Sequence, residues 1–286
     1  MKEQTICLFI SGNLGLICLE QLYSKKHTRL ISVFTDKKSI EIIKFSEENK
    51  IPCFCGNPRN GSTKEFISLY DRPDIVLSIN YLFIIEEDLI NLPKKYAINI
   101  HGSLLPRYRG RTPHVWSIIN GENKTGITAH LITKKCDEGK IIKQIEIPIT
   151  SSDTGGSILR KYNEIYPSMV EEILHEIENN NLSFKEQHES IATYFPKRTP
   201  EDGVIDFNWQ IDRIINWVRA MCPPEYPGAF YYFENKKIIV SKAEYSALGF
   251  GENIINGTVL HEDKGYNIIK AANGSVKLTE WIDSNK

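Results

Sequence analysis

Asn99 and His101 are separated by one apolar residue, Ile100, at the end of a short strand-like run. The two-residue period of a strand puts both side chains on the same side. An amide and an imidazole brought together there present hydrogen-bond donors and a titratable nitrogen to one place. A buried sheet has little use for the pair unless each is satisfied by a partner or used on a ligand. The plain alternative is a turn closed by the Asn side chain, beside an ordinary surface histidine, and spacing alone leaves both readings open. Asp137 lies in Lys134-Lys135-Cys136-Asp137-Glu138-Gly139-Lys140, between two strand-like runs. It is either a functional carboxylate or a solvated residue at a hairpin tip.

Other chemistries find less support. His27, His175, His188 and His261 sit in polar or helix-face contexts, and no His-Glu-x-x-His spacing occurs. His114 and His130 lie closer to the candidate site without fitting it better than His101. Cys7 and Cys18 read as small core hydrophobes, and Cys53 and Cys55 have no second Cys or His pair at matching spacing, so no metal is expected. The turn Gly12-Asn13-Leu14-Gly15 lacks the three-glycine dinucleotide fingerprint. Neither a Gly-Lys-Ser/Thr phosphate loop nor a Gly-x-Ser-x-Gly elbow is present.

The elements that must position Asn99, His101 and Asp137 follow from periodicity. Apolar runs at Thr5–Ile10, Leu30–Phe34, Ile51–Phe54, Ile75–Ile79 and Ala97–Ile100 alternate with helical patterns after the first turn, over Ser39–Asn49 and over Ser62–Tyr70. That rhythm predicts an α/β fold, a Rossmann-like, mostly parallel sheet with helices on both faces, whose ligands gather beyond the carboxyl ends of the strands. Thr112 is expected to cap a helix that starts at Pro113 and reaches Ile119. Strands over Gly126–Ile132 and Ile141–Ile147 flank the Asp137 loop, and a helix from Gly156 to Glu178 contains Pro167, which should kink it. Polar residues 191–203 read as a linker between a catalytic domain, 1–190, and a small C-terminal domain, 204–286. That small domain opens with an amphipathic helix over Trp209–Ala220 and is otherwise mostly β. Residues 283–286 are expected to fray.

The 286 residues can bury a sizeable core, and 41% hydrophobic with 25% charged residues is the mixture of a soluble globular protein. The N-terminal apolar run is too short for a signal peptide and no run reaches membrane-spanning length, so a cytoplasmic protein without membrane insertion is expected. Thirty-five basic residues against thirty-six acidic ones give no electrostatic reason to expect nucleic acid as a partner.

The run Asn99-Ile100-His101-Gly102-Ser103-Leu104-Leu105-Pro106-Arg107-Tyr108-Arg109-Gly110, with Asp137 in a Lys-x-x-Asp-x-Gly-x-Ile pattern, resembles the core of the tetrahydrofolate-dependent formyltransferases. A second signature is Phe195-Pro196-Lys197-Arg198-Thr199-Pro200-Glu201-Asp202-Gly203, followed by Val218-Arg219-Ala220 and Tyr226-Pro227-Gly228-Ala229-Phe230. Within that family the chain is most similar to the transferases acting on nucleotide-linked amino sugars. The resemblance implies N10-formyltetrahydrofolate as donor and a nucleotide-linked amino sugar, used in a surface polysaccharide such as O-antigen or lipopolysaccharide, as acceptor. It also implies a homodimer. Asn99 and His101 would face the developing oxyanion, while Asp137 orients His101 and, directly or through water, accepts the amine proton. The resemblance further implies a folate pocket at Tyr81, Leu82, Phe83, Ile84 and Ile85 together with Asp137; the rival reading is that this apolar loop only caps the core. Acceptor contacts are expected from Ser103, Arg107, Tyr108, Arg109 and Arg111, whose guanidiniums suit a diphosphate.

The rival acceptor is methionyl-tRNA. From Val204 to Lys286 nine Lys and Arg meet ten Asp and Glu, a net of 9 − 10 = −1, which offers no phosphate-binding platform. After Arg-Gly this chain continues Arg111-Thr112-Pro113-His114-Val115-Trp116, whereas the tRNA enzymes tend to continue Ala-Ala-Pro. A folate- or nucleotide-sugar-binding protein without turnover is the rival from another class, and the retained Asn99, His101 and Asp137 speak against it.

Overall fold

A computed structural model describes residues 3–281 and divides the chain into two compact units. The first comprises the chain up to Gly110, Gly126–Ile147 and Lys161–Tyr194; the second comprises Arg111–Thr125, Pro148–Arg160 and the chain from Phe195. The expectation for residues 283–286 falls outside the described residues.

In chain order the elements begin with β1 (Gln4–Ile10), α1 (Gly12–Tyr23), β2 (Thr28–Thr35), α2 (Ile40–Glu48), β3 (Cys53–Cys55) and α3 (Lys64–Ser68). β4 (Ile75–Ile79), α4 (Glu87–Ile90), β5 (Tyr96–His101) and the two-residue β6 (Arg109–Gly110) follow. Next come α5 (Pro113–Ile119), β7 (Lys124–Leu131), β8 (Ile141–Pro148) and α6 (Gly155–Glu178), which runs through Pro167. After the two-residue β9 (Tyr194–Phe195), the chain forms α7 (Ile211–Ala220) and the strands β10 (Ala229–Phe233), β11 (Lys236–Ser246), β12 (Val259–Asp263), β13 (Tyr266–Ala271) and β14 (Gly274–Glu280).

Seven strands form one sheet in the order β3-β2-β1-β4-β5-β7-β8. β1 to β5 pair in parallel, and β7 runs antiparallel to β5. β4 is buried along its whole length, as expected of a continuous apolar run in a parallel sheet. Phe9 of β1 stacks on Phe34 of β2 at 4.3 Å between ring centroids, and Cys7, Val76, Leu89 and Ala97 belong to the same buried cluster. The strand order reverses direction between β1 and β4, the kind of switch point beyond whose carboxyl ends ligands gather in such sheets. The β5–β7 register places Asn99 opposite His130 and His101 opposite Thr128. Directly opposed residues in an antiparallel pair share a face, so Asn99, His101 and His130 project from the same side of the sheet.

The second unit holds a five-stranded antiparallel sheet ordered β10-β11-β14-β13-β12. α7 buries Ile211, Ile214, Trp217 and Val218, an apolar stripe at helical spacing. Arg198 lies over the rings of Trp116 and Trp217, 5.1 and 4.2 Å from their centroids, a cation–π arrangement.

Some elements differ from expectation. The predicted helix over Ser62–Tyr70 shrinks to α3, and α4 is a short helix that periodicity over four residues could not reveal. Thr112 does precede α5, but at φ +47° it occupies the left-handed region, and its buried Oγ1 makes no capping bond. Such a conformation is unusual for a β-branched residue.

Candidate active site

His101 ends β5, with its ring buried. Its Nε2 lies 2.8 Å from the backbone carbonyl of Tyr108. A carbonyl only accepts, so Nε2 carries the proton and the neutral ring keeps its lone pair on Nδ1. Nδ1 faces Oδ2 of Asp137 at 3.7 Å. That gap is wider than a hydrogen bond. Asp137 therefore makes no direct hydrogen bond to His101: Tyr108 fixes the ring, and Oδ2 of Asp137 accepts from the Gly110 N–H at 2.9 Å.

Asp137 is buried between β7 and β8 and has φ +56°. Burial alone would raise its pKa, but the charge that His101 carries when protonated, the bond and charge that His130 supplies when protonated, and the Gly110 N–H outweigh it. The carboxyl is held well below the ordinary carboxylate range. Cys136 adds a weak thiol donor 3.4 Å from Oδ2. Close beneath, Gly139 has no space for a side chain, since a Cβ there would lie 1.8 Å from the Leu131 carbonyl oxygen.

Asn99 donates from Nδ2 to Nε2 of His130 at 3.1 Å. His130 Nδ1 donates to the Leu131 carbonyl at 2.8 Å, which leaves Nε2 as the acceptor the Asn amide needs. Nε2 of His130 also lies 3.6 Å from Oδ1 of Asp137. The structure thus brings Asn99, His101 and Asp137 together, with His130 as a fourth member. Its placement follows from the β5–β7 register, a long-range pairing that spacing along the chain does not encode.

The other expected residues divide. Ser103 is fully buried and donates to the Arg107 carbonyl at 2.8 Å, closing the turn after His101. Tyr108 is buried at φ +61°, and its contribution to the cluster is the backbone carbonyl on His101. Arg107 and Arg111 are exposed, Arg107 over the Tyr108 ring at 5.4 Å and Arg111 within the second unit. Arg109 does not fit the diphosphate role: its side chain is 0% exposed and lies against Gln187, Glu189 and Tyr194.

The loop after β4 also divides. Tyr81 packs edge-on against Phe9 and Phe83, with centroids at 5.3 and 5.6 Å, and Ile85 joins the same core, whereas Leu82 and Ile84 face outward. The Tyr81 hydroxyl is buried without a hydrogen-bond partner, and burial raises its pKa. An orphaned hydroxyl beside exposed aliphatic side chains fits a flat heteroaromatic ring with polar edges. No helix among the described residues is long and apolar enough to cross a membrane.

Comparison with known proteins places this geometry. Residues 5–174 match the formyl transferase family, and residues 197–286 match the formyl transferase C-terminal domain. The chain is 38% identical over 262 residues to the bifunctional polymyxin resistance protein ArnA of Wigglesworthia glossinidia brevipalpis, covering 87% of this chain and 38% of that protein. It is 34% identical over 245 residues to the methionyl-tRNA formyltransferase of Dictyoglomus turgidum, covering 85% of this chain and 77% of the relative. Among solved structures it superposes on WlaRD, a sugar 3N-formyl transferase studied with dTDP and 5-N-formyl-THF, with TM-score 0.72 and 22% identity over 99% of this chain and 100% of the other. The N-formyltransferase from Helicobacter canadensis, in complex with folinic acid and dTDP-3-aminofucose, gives TM-score 0.71 and 20% identity over 98% and 99%. These two likenesses establish the fold.

Proposed function

We infer the reaction from one premise: the chain belongs to the formyl transferase family. We propose that it transfers a formyl group from N10-formyltetrahydrofolate to the primary amine of a nucleoside-diphosphate-linked amino sugar, a 3- or 4-amino deoxyhexose. The observation that carries the reaction is the convergence of Asn99, His101 and Asp137 at the end of β5. In the overall balance a bond forms between the amine nitrogen and the formyl carbon, and the bond from that carbon to the folate nitrogen breaks. One proton passes from the amine to the released nitrogen.

When bound, the donor supplies the activated formyl carbon, and Tyr81 to Ile85 are the residues that would hold its ring. Asn99 gives one amide hydrogen to His130 and has a second to offer an oxygen that gains negative charge. Tyr108 holds the His101 proton on Nε2, so Nδ1 is the atom that takes and returns a proton. Asp137 sets its carboxylate 3.7 Å from that Nδ1, on the side to which a proton would be passed.

Three observations support the sugar acceptor. The solved proteins above were studied with dTDP or a dTDP-amino sugar. The near-neutral stretch from Val204 carries no net positive charge to attract a nucleic-acid backbone. Arg107 and Arg111, four positions apart in sequence, are exposed residues, and each is proposed as a diphosphate contact. The second reading, formylation of methionyl-tRNA, is favoured by relatives of that activity at 34% and 31% identity. The chain spans 38% of the ArnA relative, so pathway context is part of the proposal. The test is to incubate the protein with N10-formyltetrahydrofolate and a panel of dTDP-, UDP- and GDP-linked amino sugars, then identify the product by NMR. A formamide proton on the sugar nitrogen is expected; an unchanged panel would remove the sugar reading. The homodimer carried by the same resemblance is tested by light scattering at micromolar concentration.

A further inference from the structure

We propose that Arg109 and Gln187 form a clamp that positions Asp137 and His101 without touching substrate. The proposal rests on the reading that these two groups act in the reaction.

Every donor of Arg109 is committed inside the first unit. Nε and Nη2 donate to Oε1 of Gln187 at 3.2 and 2.7 Å. Nη2 and Nη1 reach the two carboxylate oxygens of Glu189 at 2.7 and 2.9 Å, and Nη1 also donates to the Tyr194 hydroxyl. A guanidinium has five N–H groups, and these five bonds use them all. Its planar fork suits the paired geometry.

Arg109 thereby decides which way Gln187 points. With its oxygen taken by a group that can only donate, the Gln187 amide must present its nitrogen to the other side. That nitrogen donates to the carbonyls of Asp137 and Gly139 at 2.8 and 2.7 Å. Between them, Glu138 accepts from the Tyr194 hydroxyl at 2.7 Å. Three consecutive residues of the Asp137 loop are held by one strap, residues 187–194.

The same arginine acts through its own backbone neighbours. The carbonyl of Tyr108, before it, fixes His101, and the N–H of Gly110, after it, fixes the Asp137 carboxylate. The strap secures this segment too, since Thr193 accepts from Tyr108 N at its hydroxyl and from Arg109 N at its carbonyl, both at 2.8 Å. Tyr108 and Asp137 both adopt the left-handed conformation. Non-glycine residues stay there only where surrounding bonds over-determine them. The clamp supplies those bonds, and it sets the separation of the two groups.

Gln187→Glu tests this, because it keeps the acceptor for Arg109 and removes both donors to the Asp137 loop. The expected result is a turnover number reduced about tenfold to a hundredfold, the order that an ångström of misplacement costs. KM for each substrate should stay within about twofold if the change acts on transition-state alignment alone. The Gly110 amide should exchange with solvent about tenfold faster or more, since its acceptor is no longer held. Glu189→Gln, on a side chain 63% exposed, should shift the same quantities less and covers the case in which Gln187→Glu folds poorly. Wild-type exchange at Gly110 in both variants overturns the clamp, whatever happens to turnover. Faster exchange with unchanged turnover overturns the proposal differently, by removing Asp137 and His101 from the reaction.

Discussion

Tyr108 holds His101 in one tautomer: at φ +61° its carbonyl is turned onto Nε2 of the imidazole at 2.8 Å. A non-glycine residue in the left-handed region costs about 1–3 kcal/mol and persists only where its surroundings impose it. The strain places a hydrogen-bond acceptor on the inner face of the ring and leaves Nδ1 toward Asp137. Tyr108→Gly adopts that φ without strain but loosens the loop. Turnover is expected to fall about tenfold, and stability should fall by about 3 kcal/mol or more because a buried ring is removed. A variant as active as the parent would separate Tyr108 from the chemistry.

His101→Asn and Asp137→Asn should each lower turnover roughly a hundredfold or more, the loss typical of removing one charge-stabilising donor. Circular dichroism should show both folded. Near-parental rates in either variant would sink the assigned roles.

The depressed pKa of Asp137 also gives a stability prediction. In the unfolded chain this carboxyl titrates near ~3.9. Because its folded value is lower, the ionised group contributes stability that is fully present above the unfolded value. That contribution is lost as pH falls toward the folded value. Urea melts should therefore show the stability gap between parent and Asp137→Asn shrinking from pH 5 to pH 2. A gap constant over that range contradicts the burial and partners assigned to Asp137.

Tyr81→Phe removes a buried hydroxyl that has no partner. The ligand-free protein should gain stability, by about 1 kcal/mol, because an unsatisfied group is desolvated at a cost. If the hydroxyl meets the donor, KM for N10-formyltetrahydrofolate should rise about fivefold, the equivalent of one modest hydrogen bond. Raised stability with an unchanged donor KM would take Tyr81 out of the donor site.

Gly139→Ala forces a methyl against the Leu131 carbonyl oxygen. Relief requires the Asp137 loop to move, so a loss of roughly 3 kcal/mol or more is expected. A calorimetric Tm equal to the parent's would contradict the packing described.

Much of this arrangement was legible in the sequence, for local reasons. The parallel strands are apolar runs between turns, and the period of two placed Asn99 and His101 on one side of β5. What could not be read depended on partners remote in the chain. His130 enters through the register of an antiparallel pair. Arg109 looked like a ligand-binding loop arginine, but its partners Gln187 and Glu189 lie 78 and 80 positions downstream. That Asp137 faces His101 without a direct bond follows from two left-handed residues, Tyr108 and Asp137, which redirect the acceptors. Neither is a glycine, and Asp137 is only of a type enriched at positive φ, which does not mark a position by itself.

The acceptor carries the central claim, and one competition measures it. The initial rate of tetrahydrofolate release should be read with N10-formyltetrahydrofolate and a dTDP- or UDP-linked amino sugar, and again with methionyl-tRNA at equal concentration. The account predicts sustained release with the nucleotide-linked sugar, at least tenfold slower release with the free sugar, as expected if a tethered diphosphate supplies the positioning, and none above background with methionyl-tRNA. Efficient formylation of methionyl-tRNA, or equal rates with the free sugar, would contradict it.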